Sequence, residues 1–152
     1  MSPPPPSSVV ELRWAAGEDE RRPALTLREQ VFCDEQGVPR ELEVDGLDDR
    51  ALHLVALPAG SANTIGTLRL LVDGAEAKVG RVAVAPEWRN RGIASRMLGA
   101  ALEEAAQRGC RRASLAAQLR ATGVYERVGF EIASEPFEQA GITHVWMRRS
   151  LP

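Results

Sequence analysis

The sequence predicts an α+β domain: a mixed, mostly antiparallel sheet of about six to seven strands flanked by helices. Three short apolar segments in a row, residues 51–57, 64–72 and 77–85, are separated by Pro/Gly/Ser and Asp73-Gly74 turn signals, which makes an antiparallel meander. A long amphipathic segment, residues 92–108, then feeds a further strand at 112–117. Such a strand–helix–strand crossover requires a parallel neighbour, so the sheet is mixed.

The elements follow in order. Residues 9–14 carry β-branched residues and an aromatic and read as a strand, broken by Gly17. Residues 18–36 are helical, with Leu25, Arg28, Glu29 and Phe32 at spacings of three or four and Gly37-Val38-Pro39 as the stop. Residues 40–50 are an acidic loop with a turn at Asp45-Gly46. After the meander, Pro86 stops the ladder. The helix at 92–108 shows Ile93, Met97, Leu98, Ala101, Leu102 and Ala105 on one face and closes at Gly109. Residues 122–128 form a brief helix closed by Gly129, and 130–133 and 143–149 are the last strands.

With 152 residues, 44% apolar and 26% charged, the chain reads as one globular domain over 9–152 behind a flexible Pro/Ser-rich tail, 1–8. A net charge of −2 and 5% aromatic residues give neither the electrostatic footprint nor the stacking platform of a nucleic-acid binder. No apolar run approaches the roughly 18 residues of a membrane span, so no membrane partner is expected. Cys33 and Cys110 make neither a disulfide framework nor a metal site, and a cytoplasmic location is the default. Both read as structural thiols. Of 19 basic residues only Lys78 is lysine, a bias that carries meaning only where an arginine holds a special position.

One such position is the loop that opens the long helix. The strand residues Val82, Ala83 and Val84 lead through Pro86 into Arg89-Asn90-Arg91-Gly92-Ile93-Ala94. The first amides of a helix lack internal partners, and the helix dipole adds positive charge there. Gly92 and Ala94 leave room for a ligand, and Arg89 and Arg91 add charge, so the site suits a pyrophosphate. An ordinary glycine-opened helix with solvated arginines is the alternative. Neither a Walker loop nor the dinucleotide fingerprint is present.

The hexapeptide resembles the Arg/Gln-x-x-Gly-x-Gly/Ala signature of the GNAT superfamily of acyl-CoA N-acetyltransferases. The run from Ala121 through Tyr125-Glu126 to Gly129-Phe130 is similar to its second signature, Ala-x-x-x-Tyr-Glu-x-x-Gly-Phe. The stretches 31–38, 43–48 and 135–144 look like its small ElaA-like branch. The resemblance implies a GNAT-like sheet and acetyl-CoA as co-substrate, with no metal. Amides of Arg89, Asn90, Arg91, Gly92, Ile93 and Ala94 would hold the pyrophosphate. Val82 and Val84 would pair with the pantetheine arm, and the Val84 amide would polarise the thioester carbonyl. Tyr125, the only tyrosine, would protonate the leaving thiolate; a plain core aromatic is its other reading. Gln118 replaces the usual asparagine beside the cofactor arm, and Ala116 replaces a histidine common in the branch.

Direct transfer to an amine calls for a base. The candidates are Glu35, Glu43, Asp45, His53, Glu138 and His144, with Glu35 and Glu138 placed first because they fall in branch-like loops. The expected function is transfer of acetyl from acetyl-CoA to a primary amine on a small molecule or peptide. The alternative is a catalytically weak acyl-CoA-binding regulatory module. The acidic loop favours a cationic acceptor. A homodimer is expected by analogy with the superfamily.

Overall fold

The computed structural model describes residues 9–152; the segment read as a flexible tail, 1–8, lies outside the described residues. The element order is β1 (Val10–Trp14), α1 (Glu18–Arg28), α2 (Arg40–Glu43), β2 (Leu52–Pro58), β3 (Gly66–Asp73), β4 (Glu76–Val84), α3 (Ile93–Gln107), β5 (Arg112–Gln118), α4 (Thr122–Glu126), β6 (Glu131–Ile132), β7 (Phe137–Gln139) and β8 (Ile142–Ser150). All eight strands lie in one sheet of order β1-β2-β3-β4-β5-β8-β6, with β7 also paired to β8. Every pairing is antiparallel except β4 with β5. The fold is thus the expected mixed α+β sheet.

The strand count differs from the expected six to seven. Residues 134–141, read as a loop, contain β7. It turns back into β8 through Ala140 (φ 53°) and Gly141 (φ 76°). Positive φ at both central positions is the type I′ two-residue hairpin, and alanine at the first of them hides the turn.

Residues 18–36 are helical as expected, but α1 passes into a π-helical stretch at Glu29–Glu35. The buried face is Ala24, Leu27, Arg28 and Val31 rather than the Leu25/Phe32 stripe. The long helix α3 buries all six residues of its expected apolar face. It packs on the sheet face that carries Gly66: a Cβ there would meet Ala56 Cβ at 3.2 Å and Ile93 Cγ2 and Met97 Cε at 3.3 Å. The absence of a side chain at Gly66 lets the helix approach the strands closely.

The segment 40–50 is not a solvated acidic loop. It holds α2 and a 3₁₀ turn at Asp48–Arg50; Glu43 is buried and Asp45 and Asp48 are drawn into ion pairs, while Glu41 and Asp49 stay exposed. Arg28, fully buried, donates from Nε to Glu43 Oε1 at 2.6 Å and from Nη1 to Asp48 Oδ1 at 2.8 Å. Arg69 of β3 donates from Nη1 to Asp45 Oδ1 at 2.8 Å and to Asp48 Oδ1 at 3.2 Å. Arg81 of β4 donates to the Glu43 carbonyl at 2.9 Å and to Asp45 Oδ2 at 3.3 Å. Three arginines thus neutralise three carboxylates and tie the segment to α1, β3 and β4. Hydrogen bonding by the Arg69 guanidinium holds the Asp45 carboxyl far below the usual range. Burial pushes the Asp48 carboxyl up, but Arg28 and Arg69 outweigh it and the net shift is downward.

Removing one member of a buried ion pair leaves the other charge uncompensated, which costs about 3–5 kcal/mol. Arg28→Ala is therefore expected to lose stability on that scale in urea unfolding. A loss below about 1 kcal/mol would show that the network contributes no more than exposed pairs do.

Candidate active site

The site is built where β4 and β5 part. The two strands pair over only three positions, from Glu76↔Arg112 to Lys78↔Ser114. Beyond that, β4 continues against β3, and β5 against β8. A bulge in β4 bends it away: Thr67 faces Ala83 and Arg69 faces Gly80, so Leu68 opposes both Arg81 and Val82. Arg81 sits in the bulge at φ 53°, with its guanidinium held by the Glu43 carbonyl. The facing edges of both strands then lie open across a wedge, and an open edge is a template for an added extended chain.

From the parted end of β4 the chain runs through a 3₁₀ turn at Pro86–Trp88 to the start of α3. Its cap residue Gly92 has φ 78°, and Asn90 two residues earlier has φ 62°. A Cβ on Gly92 would meet nothing within 4 Å, so the space in front of the helix is open. Among the described residues no side chain caps this end, and no acidic residue stands in the first turn. The first intrahelical bond is from the Arg96 amide to the Gly92 carbonyl, so the amides of Gly92, Ile93 and Ala94 have no helical acceptor. The helix dipole and these donors favour an anion here. Arg91 stacks over the Trp88 ring at 5.6 Å.

Arg89 is placed differently from the phosphate clamp read in the sequence. Its guanidinium forms a bidentate pair with Glu35 (2.7 and 2.8 Å) and its Nε donates to the Val84 carbonyl at 2.9 Å. One of the two Val84 backbone groups expected to face a cofactor arm is thus already engaged. The pairing also bears on Glu35: the hydrogen bond from Arg89 draws its carboxyl below the ordinary range, which makes it a weaker base. Glu138, the other first-placed base, lies exposed on β7 and accepts a 2.6 Å bond from Thr143. The structure does not bring it into the cavity described next.

A cavity of about 440 Å³ lies on the sheet face opposite α3, between the segment from Phe32 to Leu47 and the β4/β5 gap. Val82, Gln118 and Tyr125 line it, so three of the expected residues are brought together. Burial pushes the Tyr125 phenol up to about 12, which keeps it protonated at neutral pH and able to donate. Its ring meets Phe130 edge-on at 6.4 Å. Gln118 donates to Gln36 Oε1 at 2.9 Å and accepts from Arg120 at 3.0 Å.

Other lining residues were not singled out in the sequence. Phe32 and Gln36 reach the cavity from the π-helical stretch, and Lys78 lies 5.0 Å over the Trp146 ring. The register could have found part of this set. Lys78, Ser114, Ala116 and Gln118 share one sheet face with Trp146 and His144, through the pairs Ala116↔Trp146 and Gln118↔His144. Among the remaining base candidates, His53 is buried with Nε2 bonded to the Asp48 carbonyl at 2.9 Å. Glu43 and Asp45 border the cavity but are held by the arginines. Both carboxylates are thus committed to arginines rather than left as free charges. Cys33 and Cys110 are both buried and free, and burial pushes the Cys33 thiol up, away from nucleophile chemistry.

Comparison with known proteins agrees with this architecture. The family described as "Acetyltransferase (GNAT) domain" matches residues 18–151. The uncharacterized N-acetyltransferase YjcF of Bacillus subtilis is 31% identical over 136 residues, covering 89% of this chain and 96% of its own. The crystal structure of Escherichia coli ElaA superposes with a TM-score of 0.82 at 23% identity, covering 93% of this chain and 99% of that one. A GNAT family acetyltransferase from Elizabethkingia anophelis, solved with acetyl-CoA bound, superposes at 0.68 with 17% identity over 93% of this chain and 98% of that one. The family match over residues 18–151, together with a relative 31% identical over 89% of the chain, places this protein in the GNAT acetyltransferase family.

Proposed function

We propose that the chain transfers the acetyl group of acetyl-CoA directly to a primary amine of a small molecule or peptide. The observation that carries this reading is the break in the sheet: the edges of β4 and β5 lie open beside a cavity lined by the protonated Tyr125, and β4 runs on from that break to the start of α3. Each part fits a different piece of the co-substrate. Pyrophosphate suits the amides of Gly92, Ile93 and Ala94. The amide-bearing pantetheine arm suits an open strand edge. The thioester would then lie near Val82 and Tyr125, and the relative with acetyl-CoA bound supports this choice of donor.

When bound, acetyl-CoA supplies an activated carbonyl and a thiol leaving group. The protein's residues do the rest. The Val84 amide stabilises charge that develops on the carbonyl oxygen. Tyr125 donates its proton to the departing sulfur. The walls of the cavity hold the amine against the acyl carbon, and that positioning supplies a large share of the rate. Among the described residues no helix is long and apolar enough to cross a membrane. With both cysteines free, we place the reaction in the cytoplasm.

The test is release of free thiol from acetyl-CoA across a broad panel of primary amines and peptides. Turnover with at least one amine is expected. Stabilisation by acetyl-CoA without any turnover would leave only the binding-module reading. Tyr125→Phe is expected to lower kcat by about 10²-fold while the acetyl-CoA dissociation constant stays within about twofold. An unchanged kcat would remove Tyr125 from the acid role.

A further inference from the structure

Transfer to a protonated amine needs a proton acceptor inside the cavity. The titratable groups that border the cavity are few. Glu43 and Asp45 are ion-paired to Arg28, Arg69 and Arg81. Lys78 lies over Trp146, and Tyr125 is held as the neutral phenol. At the adjoining rim, Glu35 is paired with Arg89, and Arg120 is bound to Gln118. His144 remains.

His144 lines the cavity from β8, directly across the ladder from Gln118. Its Nδ1 lies 2.7 Å from the Ile142 carbonyl oxygen. A carbonyl only accepts, so Nδ1 carries the proton and the neutral ring has its lone pair on Nε2. No group among the described residues hydrogen-bonds Nε2. The ring is also fixed in plane. It stacks on Phe137 with centroids 6.0 Å apart and planes 24° apart, and Phe137 stacks in turn on Trp146 at 5.6 Å and 25°. A set tautomer, a clamped ring and an uncommitted nitrogen are what a general base requires.

Resting on the acetyl-transfer reading above, we infer that His144 is the general base, taking the proton of the acceptor ammonium on Nε2. The step balances as follows. Nε2 removes one proton from R-NH3⁺, and the freed nitrogen pair forms the C–N bond to the acetyl carbon. The C–S bond breaks, and sulfur takes the Tyr125 proton to leave as the free thiol. The second proton lost by nitrogen restores Tyr125, and His144 returns its proton to water. This role also gives a reason for the β7/β8 hairpin: it carries both Phe137 and His144.

The test compares wild type with His144→Gln and His144→Asn, by thiol release with the most active alkylamine of the panel and with its fluorinated analogue, whose nitrogen is already unprotonated at neutral pH. With the alkylamine, kcat/KM at neutral pH is expected to fall by about 10²-fold in both variants. In the variants the pH dependence with the alkylamine should follow the protonation of the amine itself, and the deficit should shrink by at least about tenfold with the fluorinated amine, which no longer needs a base. The stabilisation by acetyl-CoA should be unchanged, showing that the fold and the donor site are intact. Equal deficits with the two amines, or an unchanged pH profile while wild type turns over, would overturn the base assignment alone. An amine panel with no turnover in wild type would overturn the transfer reading and this assignment with it.

Discussion

β4 and β5 run as parallel neighbours for three residues and then separate, and each remains hydrogen-bonded only on its outer side. Buried backbone groups are nearly always paired, so a sheet split down its middle needs either solvent or a ligand in the gap. The separation is fixed from both sides. On β4 the bulge at Arg81 turns the strand, and the Arg81 guanidinium is anchored to the Glu43 carbonyl. On β5 the whole strand, from Arg112 to Gln118, is committed to β8. The helix start, the phenol and the cavity acquire meaning because they surround this gap.

The buried charges serve that geometry. Arg28, Arg69 and Arg81 hold the 40–50 segment against α1, β3 and β4, and so build the wall of the cavity that faces the gap. Isolated, any one of these charges would be costly at such depth; together they cancel. The same cancellation removes the acidic character that the composition suggests for this segment. Electrostatics here act as scaffolding, and the ionisable chemistry left to the cavity falls to Tyr125 and His144. The Arg89–Glu35 pair plays a related part, linking the loop before α3 to the π-helical end of α1.

Local patterns that repeat within one element were legible in the sequence. The apolar face of α3, its glycine start, the meander and the Tyr125 motif were all read from residues close in the chain. What was not legible depends on partners distant in sequence. Arg28 looks like a surface residue until Glu43 and Asp48 fold against it. Glu35 looks like a free base until Arg89, 54 positions later, pairs with it. The β7 strand hides behind an Ala140-Gly141 turn because alanine rarely takes positive φ. His144 stood among six candidates, and only the register to Gln118 and the bond to the Ile142 carbonyl distinguish it.

In the proposed complex, acyl-CoA lies across the gap between β4 and β5 with its pyrophosphate at the start of α3. Titrating ¹⁵N-labelled protein with acetyl-CoA and following the backbone amide resonances tests it most directly. The largest changes are expected at Val82, Val84, Gly92, Ile93, Ala94 and Gln118, with β1 and the start of α1 unmoved. Changes centred elsewhere, or none at saturating acetyl-CoA, would contradict it.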